Sequence, residues 1–275
     1  MTRSNRWQVG GVVAALLCMH GLAMAAEPKK SDSGDNDWSV DIAYDTASGN
    51  YGTVNFSSER IWTSTISIDT DNYTFSLAMP YLNTSGPVGA TLRRLGKSVL
   101  VTSIVNANGN GDLEFSVTRS VLTEEDVGMD LDIKGSVKLP TASQAQGLGT
   151  GVTDSFVEVD FGKTFANFTG TATFGYAFLG NAGKVLVQGV QQNLIFKNGF
   201  SASLDGSLKL NDNFLVGATV SGQDAATAGM PDPREVKVYL GYKLNKSIKV
   251  HLYALKGLSE GSPDRGAGLS VVLTN

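Results

Sequence analysis

His251 is the single histidine that remains once the first 26 residues are set aside. As a general base it would need a nucleophile within reach and a carboxylate to orient its imidazole. No G-x-S-x-G elbow or similar motif accompanies it, and beyond those first 26 residues no second histidine is present for a metal pair. Its residue type and surroundings, between Lys249 and Tyr253, point to a wall position. Gly147-Leu148-Gly149-Thr150-Gly151 has the glycine density of a phosphate cradle. Such loops open a helix and carry Lys and Ser/Thr, whereas a strand pattern follows here, so a loop is expected. Asn108, Asn110, Asp112 and Glu114 place oxygen ligands at alternate positions, as a calcium loop does. A turn leading into a strand accounts for the same spacing without metal. Arg93, Arg94 and Lys97, ahead of the apolar run Val99 to Val105, have the charge to meet phosphate groups. Their segment, 83–111, is alternatively a loop that folds inward and narrows a pore, or an ordinary solvated loop. No catalytic residue, cofactor or metal ligand is expected.

A larger constellation consists of charges spaced two apart. The acids are Asp41, Asp45, Glu114, Asp130, Asp132, Glu158, Asp160, Asp205 and Glu235; the bases are Lys134, Lys138, Lys209, Lys237, Lys243 and Lys249. Each falls in the phase opposite to an apolar alternation. Mixed charges on one wall either line a water-filled path or tie the wall together through ion pairs.

The elements that must position these groups are strands. Trp38, Val40, Ile42 and Tyr44 alternate with Ser39, Asp41, Ala43 and Asp45. Between 129 and 139, Leu131, Ile133, Val137 and Leu139 alternate with Asp132, Lys134, Ser136 and Lys138, and Pro140 ends the pattern. Side chains of a strand point to opposite faces with period two, so each segment has one apolar and one polar face. Twelve such segments are predicted: 38–44, 53–68, 73–81, 113–121, 129–139, 157–165, 168–178, 200–210, 214–220, 236–244, 248–254 and 267–273. Their connections alternate between short turns, as at Ala166-Asn167, and longer loops at 46–52, 83–111, 141–153, 180–191, 222–233 and 257–264. An even number of strands with this asymmetry is the pattern of an antiparallel up-and-down transmembrane barrel, all-β, with periplasmic termini and extracellular long loops. A soluble sandwich would bury its apolar faces against each other and would not need alternating loop lengths. Phe168 and Phe178, at the two ends of one apolar face, are about 33 Å apart along a strand, or roughly 25 Å after tilt, the spacing of two aromatic girdles. On this reading lipid lies against Leu131 and Ile133, a polar lumen lies against Asp132 and Lys134, and the Gly-rich run after Pro140 is an outward loop.

Arg3 and Arg6, the apolar stretch Val9 to Leu22 and the small residues Ala23 to Ala26 are ordered as in a secretory signal peptide. The expected organisation is therefore a signal peptide at 1–26, a short polar segment at 27–36 and the barrel at 37–275, exported to the outer membrane. Cys18, the one cysteine, falls within that signal, which leaves no thiol chemistry for the rest. The whole chain carries a formal charge of -4 and becomes more acidic without the two arginines, which argues against nucleic acid as a partner. Outer-membrane lipid, lipopolysaccharide and the barrel assembly machinery are the expected partners, and a monomer is the expected state.

"YDTASGNYGT" (44–53), "KLPTASQAQGLGTGVTD" (138–154), "DPREVKVYLGYKL" (232–244) and "LKGLSEGSPDRGAGLS" (255–270) resemble the outer-membrane barrels described as transporters of the meta pathway of phenol degradation, and their uncharacterised relatives. The resembling stretches lie at strand ends and loops. The resemblance implies a barrel and passage of small organic molecules; it carries over no catalytic residue. The chain departs from such barrels in ending Val272-Leu273-Thr274-Asn275, without a final aromatic. A passive channel is the expected function. A closed structural or surface-binding barrel is the alternative, and a barrel hydrolase a third.

Overall fold

A computed structural model describes residues 37–51, 56–87, 104–187, 189–226 and 230–275. The predicted signal peptide, the polar segment 27–36, and Arg93, Arg94 and Lys97 lie outside the described residues. Strands β1 (Asp37–Gly49), β2 (Ser57–Asp69), β3 (Tyr73–Pro87), β4 (Ile104–Asn110), β5 (Leu113–Leu122), β6 (Asp130–Leu139), β7 (Asp154–Phe165) and β8 (Phe168–Phe178) come first. A short hairpin, β9 (Gly183–Val187) and β10 (Val190–Leu194), precedes β11 (Gly199–Lys209), β12 (Phe214–Gln223), β13 (Arg234–Lys243), β14 (Ile248–Gly257) and β15 (Arg265–Thr274).

All neighbours in the main sheet are antiparallel, and the sheet closes because β1 pairs with both β2 and β15. Ser39 lies opposite Thr274, and the Trp38 amide donates to the Asn275 side-chain oxygen at 2.9 Å. Closure leaves no edge where the staves cross hydrocarbon, as a sheet there requires, since no water is present to satisfy exposed N–H and C=O groups; β4, at the outer end, pairs on one side only. The barrel has twelve staves, because β4 and β5 successively pair with the outer and inner parts of β3. The register slips by one residue between them: Tyr81 faces Asn110, whereas Ala78 faces Glu114.

Stave four therefore corrects the predicted 83–111 loop. β3 runs on to Pro87 and β4 begins at Ile104, so ladder structure occupies both ends of that segment. The slip also separates the four alternating oxygen residues. Asn108 and Asn110 share the face of Asn83 and Tyr81, while Asp112 and Glu114 turn to the other. The connection between the predicted strands 113–121 and 129–139 is a single helical turn, Glu124–Val127, closed by Gly128 in the left-handed conformation.

Period-two alternation then sorts the wall. On β11, Phe200 and Leu204 are two-thirds exposed, and on β3 Tyr73, Phe75, Leu77, Met79 and Tyr81 are all at least 40% exposed. An apolar surface of this extent would be unstable in water and is the mark of a lipid-facing wall. Aromatics gather at its two borders. At the end carrying the long loops (the outer end), Tyr44 packs on Trp62 at 4.6 Å between ring centroids, and Tyr176 on Phe178 and Phe200 at 4.8 and 4.6 Å. At the inner end Phe214 packs on Tyr242 at 4.6 Å, with Trp38, Tyr73 and Phe168 on other staves.

Candidate functional site

The inner face of the barrel carries the polar phase of every stave. In its middle, Lys134 on β6 pairs with Glu158 on β7 at 3.6 Å. Next to them Asp132 lies directly opposite Asp160, which accepts a hydrogen bond from Thr173 at 2.5 Å. Like charges placed opposite each other repel. The threonine hydroxyl therefore compensates one carboxylate of the pair.

Two tyrosines that alternation places among the lumen residues shape this wall. Tyr239 on β13 faces Tyr253 on β14, and they diverge. The Tyr239 hydroxyl donates to Asp205 on β11 at 2.7 Å, and Asp205 also accepts from Thr219 at 2.6 Å. The Tyr253 hydroxyl donates to Asp45 on β1 at 2.5 Å. Each ring reaches across one intervening strand, and that strand has glycine under the ring. A Cβ on Gly217 would overlap Tyr239, and one on Gly268 would overlap Tyr253. The rings consequently lie along the wall and leave the space across the barrel clear. Lys237 sits over the Tyr253 ring at 5.6 Å, a cation–π contact that holds the ring down from the lumen side. The sequence carried the signal for both tyrosines: each falls in the polar phase of its strand, opposite a glycine.

His251 and Asp41 meet at Ser270. His251 is 3% exposed, its Nδ1 lies 3.4 Å from the Ser270 hydroxyl, and Asp41 is hydrogen-bonded to the same serine. A hydrolytic triad needs the histidine in the middle, oriented by the acid. Here the serine occupies the middle, so the constellation does not assemble a base and nucleophile.

At the outer mouth the charges are tied up rather than free. Lys138 is 1% exposed and forms ion pairs with Asp112 at 3.1 Å and Asp154 at 2.7 Å, while donating to the Thr150 hydroxyl at 2.9 Å. It lies on the inner side, as its phase predicts, but is buried rather than open to the lumen. Asp112 in turn accepts from the Ala142 amide, and Asp154 from the Gly180 amide, both at 2.9 Å. One buried ammonium therefore fastens loop 140–153 and the start of loop 179–198 to the wall. Asp112 stood out in the sequence only within the alternating oxygen run and Asp154 not at all, because both sit at strand boundaries where no alternation marks a face.

The Gly-rich run leaves the wall at its outer end, as expected of an outward loop, but folds back into the mouth. Leu148, 2% exposed, packs against Ile61, Leu82 and Ala107, all inward residues of β2, β3 and β4. A side chain on Gly109 would collide with it, so glycine at 109 makes room for Leu148. Loop 179–198 folds in likewise: Phe196 joins Phe156, Leu179 and Ala226 in a second buried apolar cluster. Phe156 and Leu179 of this cluster also border a small cleft with Ala177, Glu158, Lys197, Ser201, Gln223 and Asp224.

The remaining predicted residues lie toward the ends. Glu114 faces Lys138 across β5 and β6, and Glu235 is buried at the outer end of β13. At the inner end Lys243 lies opposite Lys249. Asp130 accepts from the Glu124 amide at 2.7 Å and so anchors the helical turn. Lys209 reaches Asp212 in the following turn at 3.4 Å and is half exposed, which places it on the inner rim outside the lumen wall.

An apolar outer wall between aromatic borders, a polar interior and complete closure define a membrane-spanning barrel of the outer-membrane type. Among solved structures the chain is similar to a NanC porin, at 10% identity and a TM-score of 0.53, covering 85% of this chain and 98% of that one. It is also similar to the translocator domain of the autotransporter NalP from Neisseria meningitidis, at 10% identity and a TM-score of 0.50, covering 89% and 90%. At these identities what is shared is the fold. No family model matches the chain, and no curated protein sequence matches it.

Proposed function

We propose that the barrel is a passive channel for small solutes, narrowed at its outer mouth by loops 140–153 and 179–198. The observation that carries this reading is the pair of tyrosines laid along the wall over Gly217 and Gly268. A barrel filled by its own side chains would gain packing by turning such rings inward. Here the hydroxyls are instead held to Asp205 and Asp45. The charged residues of the middle wall, Asp41, Asp132, Lys134, Glu158, Asp160 and Lys237, would then face the solute path.

The mouth supports one class of solute. Its cleft sets Phe156, Ala177 and Leu179 beside Glu158, Lys197 and Gln223. Apolar and polar groups set side by side suit a small molecule with an apolar body and a polar substituent. Hydroxylated aromatics have that form, and the sequence resemblance to barrels associated with phenol degradation supports the same class. Swelling of proteoliposomes in isosmotic solutions tests it: phenolic solutes should permeate faster than sugars of equal mass, and equal rates would refute the preference.

A closed barrel is the second reading, favoured by the two buried clusters and the ion triad at the mouth. Under it, no solute moves until loop 140–153 is released.

A further inference from the structure

Four cations point to the lipid side at the outer end, and they all lie on one arc of the wall. Arg60 on β2 is in phase with Trp62, which is 54% exposed, and Arg234, Lys256 and Arg265 begin or end the outward phase of β13, β14 and β15. All four are exposed. The order around the wall is β2-β1-β15-β14-β13, so the arc spans five adjacent strands, about 19 Å at the usual interstrand spacing. Lys256 and Arg265 are direct cross-strand partners. Arg234 is diagonal to Lys256, since Val236 is the residue paired with it. Among the described residues, none of the four cations has a carboxylate within ion-pair distance. Within the strand bounds, the outward positions at this end of β1, β2, β13, β14 and β15 include no acid, and those on the other staves include no charge; just beyond them Asp224, opposite Phe200, and Asp232 border the arc on the Arg234 side.

Like charges directly opposite on adjacent strands are destabilising unless an anion lies between them. Height on the wall says which anion. Arg60 stands two residues outward of Trp62, which stacks on Tyr44 at the aromatic border, so it is one pleat, about 7 Å, beyond the edge of the hydrocarbon. That is the level of lipid headgroups. We propose that this arc is a binding site for the phosphorylated sugar headgroup of lipopolysaccharide in the outer leaflet. The Lys256–Arg265 pair grips one phosphate with Arg234 beside it, and Arg60 reaches a second. Arginine suits this task because its planar fork meets phosphate oxygens bidentately. The site lies on the opposite face of the wall from the lumen and is independent of whether the lumen conducts.

The test compares full-length protein folded in detergent with the variant Arg60→Gln/Arg234→Gln/Lys256→Gln/Arg265→Gln, and with Arg119→Gln as control. Arg119 faces outward at the inner end, where it lies over Tyr73. Each protein is titrated with purified lipopolysaccharide, with the same lipid after phosphate removal, and with phosphatidylglycerol, and bound lipid is counted by native mass spectrometry. Circular dichroism and heat-modifiable migration establish that each variant is folded. The expected result is binding weakened about tenfold or more in the quadruple variant, unchanged in Arg119→Gln, and equally weakened in wild type by dephosphorylation. If the quadruple variant fails to fold, the double variant Lys256→Gln/Arg265→Gln takes its place, with a smaller loss expected. Equal binding by wild type and variant, or indifference to the phosphates, overturns the site. Equal affinity for phosphatidylglycerol overturns the assignment to lipopolysaccharide.

Discussion

Replacing Lys138 with methionine removes the ammonium at the mouth and keeps the side chain's length and apolar volume. The two carboxylates that remain, Asp112 and Asp154, are each 1% exposed. At the observed separations of 3.1 and 2.7 Å, each ion pair is worth about 5–6 kcal/mol of attraction at an effective dielectric near 20, before desolvation is subtracted. Removing one partner of a buried ion pair typically costs about 3–5 kcal/mol, because an uncompensated charge is left behind. The structure offers a way to avoid that cost: the mouth can open and hydrate both carboxylates. Opening releases the Ala142 and Gly180 amides from Asp112 and Asp154. Lys138→Met is therefore expected to raise amide hydrogen exchange at Ala142 and Gly180 by two orders of magnitude or more, at about 1.4 kcal/mol per factor of ten. The remainder of the barrel should keep its protection. The triple variant Lys138→Met/Asp112→Asn/Asp154→Asn should recover most of the loss, since asparagine still accepts from both amides. Unchanged exchange in Lys138→Met, or equal loss in the single and triple variants, would refute the reasoning that charge pairing holds the loops.

Three further outcomes follow from the faces of the wall. Leu204→Lys, at the middle of β11 on the lipid side, should cost about 2–4 kcal/mol in urea titrations of protein folded in lipid, whereas Ser203→Lys, its lumen-side neighbour, should cost much less; equal costs would invert the two faces. Asp132→Asn with Asp160→Asn removes two adjacent acids from a wall where acids outnumber bases, so the reversal potential under a salt gradient should move toward anions. Gly217→Val should push the Tyr239 ring off the wall and lower conductance in a folded barrel, while Ala218→Val, on the lipid side, should leave conductance unchanged.

Strand faces were legible in the sequence because lipid enforces alternation wherever a stave crosses hydrocarbon. β4 shows the converse. Its residues Asn106, Asn108 and Asn110 face outward above Tyr81, at the aromatic border, where water and headgroups accept a polar face. No apolar period develops there, so the segment reads as loop although it is fully paired to β3. The inward fold of loop 140–153 was hidden for a different reason. It depends on one leucine, Leu148, in a glycine-rich run, and on a partner surface contributed by three other strands. Lys138 shows the same limit of local pattern. Its phase correctly places it on the inner side, yet its neutralisation comes from Asp112 and Asp154, 26 residues before it and 16 after it. Tyr239 and Tyr253 were discoverable from phase alone, but their lie along the wall required the pairing with Gly217 and Gly268.

Current through purified protein in a planar bilayer tests the channel account most directly. Insertion of the wild type should give discrete, ohmic steps with weak cation preference, and Lys138→Met should give larger steps as loops 140–153 and 179–198 come free. Absence of steps from both proteins, each shown to be folded and inserted, would contradict a conducting lumen and leave the closed barrel as the account of this molecule.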